Sequence, residues 1–426
     1  MHSPDAPVPS EQPERFPMGE VEFVALLASI QALMALSIDV MLPALGRISN
    51  DLGVSDPNER QLIVGVFLIC SGLASLFPGA IADRFGRRRV LLTAVSGYIL
   101  LSLICAVSGS FTLLLIARGV AGAITSAMLV LPMAILRDRF DGDRMARTQS
   151  MIAMTFMVVP MIAPMVGQTV LLIASWRWIF GIMTVMGLVV FTWILLRLPE
   201  TLKPEFRQPI QVRVIAGNMA LALRERASFG YFFGAAFVQG ALFGYINSAQ
   251  QLVGEHFGAG MLFPAVFGGM ALVMASTNFI NSRIVEHFGA RRVSHTALIA
   301  YIGLAALHLI VALNGENLWI FVPLMTLSMC MMSFIGANFQ AISLQPFGRI
   351  AGAASSVMSF LRTVIGAVLG TLIGQAYDGT ARPIMAAMAV CGTTALVLVL
   401  YSEGGRLFRR INPPGFYKNN PPPAAH

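Results

Sequence analysis

Residues 83–107 read DRFGRRRVLLTAVSGYILLSLICAV. A short charged turn, Asp83 to Arg89, gives way to a run from Val90 to Val107 that holds no charge and shows no alternation of apolar and polar residues. A helix needs about 20 predominantly apolar residues to cross ~30 Å of hydrocarbon, whereas the strands of a membrane barrel alternate in ~10-residue pieces. Residues 90–108 therefore predict a transmembrane helix entered from an arginine-rich turn.

The same ruler, moved along the chain, finds twelve such stretches, numbered spans 1–12 in chain order: 21–45, 61–82, 90–108, 112–136, 148–172, 177–197, 229–253, 262–284, 294–313, 318–342, 353–376 and 383–402. Composition agrees. Of 426 residues, 56% are apolar and 12% charged, with a mean hydropathy of +0.73. A soluble domain carries about 25% charged residues, so this chain lacks the charge to clothe a water-facing surface. Soluble enzymes, secreted disulfide scaffolds and disordered chains are excluded. Cys70, Cys105, Cys330 and Cys391 all fall in apolar runs without CxxC spacing, and read as small buried hydrophobes; no metal or cofactor is expected. The first 20 residues lack a basic n-region, and no small-residue cleavage site follows, so a removable signal peptide is not expected.

Lys and Arg stay on the cytoplasmic side of a membrane protein. One set of connections, with both tails, holds 23 of the 29 basic residues; the other holds Arg47, Arg60, Arg177 and Arg382, and Arg118 and Arg362 lie inside spans. Both termini are thus expected in the cytoplasm. The formal charge of +8 becomes a topology signal that needs no nucleic-acid partner.

The longest connection separates six spans from six. This predicts a tail over 1–20, a first bundle over 21–197, a cytoplasmic loop over 198–228 that rests on the membrane surface, a second bundle over 229–402 and a tail over 403–426. The halves also resemble each other. Asp83-Arg84-Phe85-Gly86-Arg87-Arg88-Arg89-Val90 recurs as Glu286-His287-Phe288-Gly289-Ala290-Arg291-Arg292-Val293, an offset of 203 that also takes Gly167 to Gly370. The expected fold is an all-α membrane protein of twelve transmembrane helices in two pseudo-symmetric six-helix bundles. A substrate site between such repeats lies near the midplane.

Ionisable residues inside spans are functional candidates, since a carboxylate at a helix centre costs roughly 2.5–3.5 kcal/mol on insertion scales. Asp39 in span 1 is the clearest, with Gln31, Met34 and Ala35 preceding it and Pro43 following; a structural Asp bonded to backbone is the alternative. Arg118 in span 4 matches it in depth: each lies six residues from the outer end of its span, roughly 9 Å at 1.5 Å per residue. Arg362 in span 11 is a second intramembrane cation, either bonded to carbonyls or lining the cavity. Gln239, Asn247 and Gln250 in span 7 and Asn338 and Gln340 in span 10 would bind a ligand or join helices. His308 is expected to snorkel to the interface. No HExxH, P-loop or nucleophile–base pair appears, so neither an enzyme nor an ATP-driven pump is expected.

Several of these stretches resemble the major facilitator superfamily. Gly79-Ala80-Ile81-Ala82-Asp83-Arg84-Phe85-Gly86-Arg87-Arg88 is similar to its motif A, which implies a conformational latch built from Asp83, Arg84 and Arg87 on a turn allowed by Gly79 and Gly86; Glu286 and Arg291 form a degenerate copy. Arg118-Gly119-Val120-Ala121-Gly122 resembles motif B, whose Arg takes part in proton transfer. Pro160 and Pro164-Met165-Val166-Gly167 in span 5 resemble motif C, the antiporter signature, with Ala163 where Gly usually precedes Pro. Trp176-Arg177-Trp178-Ile179-Phe180, the Asp39 stretch and Asp378-Gly379-Thr380-Ala381-Arg382-Pro383 resemble the Bcr/CflA branch of drug exporters. Some of that branch carry a second acid early in span 1, where this chain has Gln31, which leaves Asp39 as the main proton candidate. The resemblance implies a monomeric exporter, bedded in lipid, that exchanges protons for amphipathic drug-like small molecules. A proton-coupled uptake symporter of the same fold is the alternative, and a non-transporting membrane sensor a more remote one.

Overall fold

The computed structural model describes residues 17–140, 142–202 and 223–409, with positions 205, 213, 217, 220 and 221 between them. The tails beyond these limits, most of the connection after 202 and the side chain of Glu286 lie outside the described residues. Every expected span is helical. Among the described residues, ten helices are individually long and apolar enough to cross a membrane; the pair Glu59–Ala74 and Pro78–Phe85 makes an eleventh, bent by 53°. Span 5 is the helix Gly142–Ile173, in which Pro160 and Pro164 are accommodated.

Local chemistry sets the ends. Ser110 caps span 4 (Phe111–Arg139) by accepting from Leu113 N at 3.2 Å, and Asn317 caps span 10 (Leu318–Leu344) by accepting from Ile320 N at 3.0 Å. Gly86 and Gly289 each join two helices at φ +99° and +83°, a region other residues avoid. The expected turn and its copy are therefore the same turn in both halves.

In the first half, span 3 (Arg87–Val107) packs on spans 4 and 6, and span 1 on spans 4, 5 and 6. In the second, span 7 (Arg226–Gln250) packs on spans 10, 11 and 12, and span 9 (Ala290–Leu313) on spans 10 and 12. The repeat extends to packing. Gly167 lies against Val40 of span 1, and Gly370 against Phe243 of span 7, both pairs 203 residues apart. Tyr98 and Tyr301 are both fully buried at that offset. The halves meet where span 2 packs on span 11 (Ala351–Gln375) and span 5 on span 8 (Phe263–Phe288).

Two spans differ from the continuous helices expected. Span 1 is the helix Glu20–Asp39, a 3-10 turn Leu42–Ala44 and a short helix Leu45–Asp51. Pro43 has no N–H to offer the carbonyl four residues back, so the α-helical ladder ends at Asp39. Span 2 breaks before Pro78, at Ser75–Phe77, for the same reason.

Candidate functional site

The break in span 1 is the centre of the candidate site. Losing the ladder frees backbone carbonyls, and buried carbonyls need donors. Arg118 supplies one: its Nη2 donates to Ser37 O at 2.9 Å while its Nε donates to Ile63 O of span 2 at 3.2 Å. Its guanidinium also lies over the Phe67 ring, 4.2 Å from the centroid. Arg118 is 1% exposed. From the other side, Gly167 of span 5 closes on the break. A Cβ there would stand 1.9 Å from Val40 O and 3.0 Å from Pro43 Cγ. The motif B arginine and the motif C glycine thus grip one feature, the unravelled turn of span 1.

Asp39 sits on that turn, 7% exposed. The structure brings Asp39, Pro43, Arg118 and Gly167 together, but the carboxylate has no hydrogen-bond or ion-pair partner among the described residues. The equal depths of Asp39 and Arg118 are matched by a shared site in which the arginine binds the turn that carries the acid. At the 203 offset the second half has Leu242 and Phe321, so the charged centre belongs to one half.

The other candidates are spread. Gln31, Met34 and Ala35 are buried along span 1. Gln239 packs on Gly366 of span 11, and Asn247 on Gly374 of the same span. Asn338 donates to Asn281 Oδ1 of span 8 at 2.8 Å and to Phe334 O at 2.8 Å, so it joins helices. Arg362 is half-buried in span 11. His308 corrects its expectation: it is wholly buried and pairs through Nε2 with Glu316, whose short connection folds over it.

The motif A residues form a network within the first half. Arg87 bonds Asp83 at 3.0 Å and Asp138, at the end of span 4, at 2.9 Å. Glu200 accepts from Arg87 N at 2.7 Å and Arg88 N at 3.2 Å, capping span 3 beside Gly86. Arg84 lies over Phe85, and Gly79 has open space where a side chain would be. Glu403, 203 residues after Glu200, accepts from Arg291 Nε at 2.7 Å and from the Tyr231 hydroxyl at 2.6 Å. Burial pushes the Glu403 carboxyl up, but those hydrogen bonds and the Arg291 charge outweigh it and hold the group below its ordinary value.

Sequence reasoning missed the groups that join the halves. Among the described residues every hydrogen bond between halves lies at the arginine-poor end. Arg60 binds Glu255 through both nitrogens, at 2.6 and 2.7 Å. The carboxamides of Gln61 and Gln251 meet at 2.5 Å. Asn58 donates to Gln375 O at 3.2 Å and Tyr377 O at 2.8 Å, and Gln375 donates back to Asn58 O at 2.7 Å. No local pattern pairs residues 190 or more positions apart; only the polarity of these span ends hinted at a role.

Two repeated bundles with a buried acid at a broken helix between clamping neighbours define a multi-pass membrane transporter. The chain belongs to the Major Facilitator Superfamily, which it matches over residues 27–371. It is 29% identical to a bicyclomycin resistance protein homolog of Haemophilus influenzae, over 87% of this chain and 93% of that one. It is 28% identical to the multidrug resistance protein MdtL of Klebsiella pneumoniae, over 85% and 91%. A bacterial homolog of the human lysosomal transporter Spinster, solved in an inward-facing and occupied conformation, shares the fold with a TM-score of 0.68 at 14% identity, over 90% of this chain and 96% of that one.

Proposed function

We propose that this protein exports amphipathic drug-like small molecules across a bacterial inner membrane in exchange for protons, by alternating access, as a monomer with both termini in the cytoplasm. The kinship with bicyclomycin and multidrug resistance proteins supports the cargo class. The observation that carries the coupling is Asp39: a buried carboxylate without a cationic partner, held on a turn that two neighbouring helices clamp. Such a group binds a proton or releases it as its access to water changes. The arginine-rich end is taken as the cytoplasmic one, which places the hydrogen bonds between halves at the outer end.

The driving force suffices. One charge falling through 100 mV supplies about 2.3 kcal/mol, and one pH unit adds about 1.4 kcal/mol. Together they sustain a gradient of a few hundredfold for a neutral cargo, at about 1.4 kcal/mol per decade.

Energised everted vesicles test the reading. The protein loads a drug into them under a proton gradient, and Asp39→Asn abolishes the loading while the protein still inserts. Normal gradient-driven loading by Asp39→Asn would remove Asp39 from the mechanism. Drug uptake into right-side-out vesicles would instead favour a symporter.

A further inference from the structure

The arginine-rich end of the second bundle holds an apolar groove. Phe288 of span 8, Ala297 and Ala300 of span 9 and Phe334 of span 10, with Arg292 and Phe408, line a cavity of about 450 Å3. Span 9 packs on spans 8, 10 and 12. Its remaining face carries Ile299 and Leu307, and span 8 beside it carries Phe279 and Ile280, all apolar and exposed. An exposed apolar patch of this extent on membrane-crossing helices faces lipid. Gly268 of span 8, which meets Met161 of span 5, lies about 160° around the helix from Phe288 at 3.6 residues per turn. The groove therefore opens to the hydrocarbon, away from the space between the halves.

Two features make this groove more than a gap between helices. Phe408 is the one non-glycine residue among the described residues with left-handed backbone, at φ +62°, a conformation that persists only where neighbours impose it. They do so here. Its N–H donates to His295 Nδ1 at 3.1 Å, its carbonyl accepts from Arg292 Nε at 3.1 Å, and its ring stands edge-on to the imidazole. The chain after span 12 is thus fastened in place as one wall of the groove. Arg292 uses only Nε in that contact. Its Nη1 and Nη2 have no partner among the described residues, whereas the adjacent Arg291 is taken by Glu403 and Gln345. A free guanidinium edge matches the paired oxygens of a phosphate.

We propose that this groove binds one anionic phospholipid of the leaflet at the arginine-rich end, with an acyl chain along Ala297, Ala300 and Phe334 and the phosphate on the Nη edge of Arg292. Both parts of the ligand are called for: the apolar walls suit a chain, and the unpaired arginine at their rim suits an anion. Basic pockets between helices on the cytoplasmic side hold anionic headgroups by the same chemistry. The lipid holds Arg292 and, through it, Phe408, so the end of span 12 stays tied to span 9. This site goes beyond the exporter reading and is independent of the cargo, of Asp39 and of the direction of transport.

The test uses the full chain purified in detergent. It is titrated with phosphatidylglycerol or with phosphatidylcholine of the same acyl chains, and retained lipids are counted by native mass spectrometry. The first phosphatidylglycerol should bind about fivefold more tightly than the first phosphatidylcholine, the contribution of one arginine beside an anionic headgroup. Arg292 is exposed, so Arg292→Gln leaves the core intact and is expected to erase that preference. Arg89→Gln, at the equivalent place 203 residues earlier, should keep it. Ala300→Phe fills the groove, leaves the arginine and should lower retention of both lipids. Glycerol 1-phosphate, which has no chains, should displace neither lipid. Equal retention of the two lipids by the parent, a parent-like preference in Arg292→Gln, its loss in Arg89→Gln or unchanged retention by Ala300→Phe would each overturn the proposal. Displacement by glycerol 1-phosphate would show a site for phosphate alone and overturn it too.

Discussion

Arg118 is wholly buried, yet its guanidinium reaches for backbone carbonyls and leaves the nearby carboxylate of Asp39 alone. Its two bonds use the planar fork, which a lysine does not have. Arg118→Lys should therefore lose one carbonyl contact, at about 1–3 kcal/mol, and lower the thermal unfolding midpoint in detergent; an unchanged midpoint would show the fork to be dispensable. Glu403 makes a second residue prediction. Its carboxyl is held below the ordinary 4.5, so it contributes stability that is complete above that value and fades as pH falls through its lower folded value. Glu403→Gln should be less stable than the parent at neutral pH and lose less on acidification, read from unfolding midpoints across a pH series. Asp39 and Arg118 were legible in the sequence because a lone charge in an apolar run is costly. Their partners were not. The oxygens that Arg118 binds are backbone atoms, identical in every residue, and Pro43 hinted only that the helix would break close by.

Helices crossing at close range depend on missing side chains. A methyl on Gly167 would meet Val40 O at 1.9 Å, and backbone cannot swing aside. Gly167→Ala is expected to cost about 1–3 kcal/mol through overpacking, and to abolish proton-coupled export by displacing the turn that carries Asp39. Gly269→Ala in span 8 is the control: nothing lies within 4 Å of the added methyl, so vesicle loading should stay at the parent level. Apolar run lengths made all twelve helices legible, because crossing hydrocarbon imposes one length on all of them. The broken course of spans 1 and 2 escaped the same reading. A hydropathy run does not register a proline that redirects the backbone while the chain stays apolar.

The two bundles share a plan and divide the labour. Turns at Gly86 and Gly289, glycine contacts at Gly167 and Gly370, and acids at Glu200 and Glu403 recur at one offset. The charged centre does not recur. A tag on either terminus should be shielded from impermeant reagents in intact cells and exposed in everted vesicles; a tag reached from outside would refute the arginine-based orientation. The repeat was readable from the motif A turn and its copy, but the joint between bundles was not, since Arg60 and Glu255 are remote in sequence and ordinary in type. That joint has a geometrical corollary. With the hydrogen bonds between halves among the described residues gathered at one extremity, the bundles are levers about that fulcrum. A 20-residue helix is about 30 Å long, so a tilt of about ten degrees at one tip sweeps the other through roughly 5 Å. Ångström-sized adjustments among a few amides would thus be amplified into an aperture as wide as an aromatic ring.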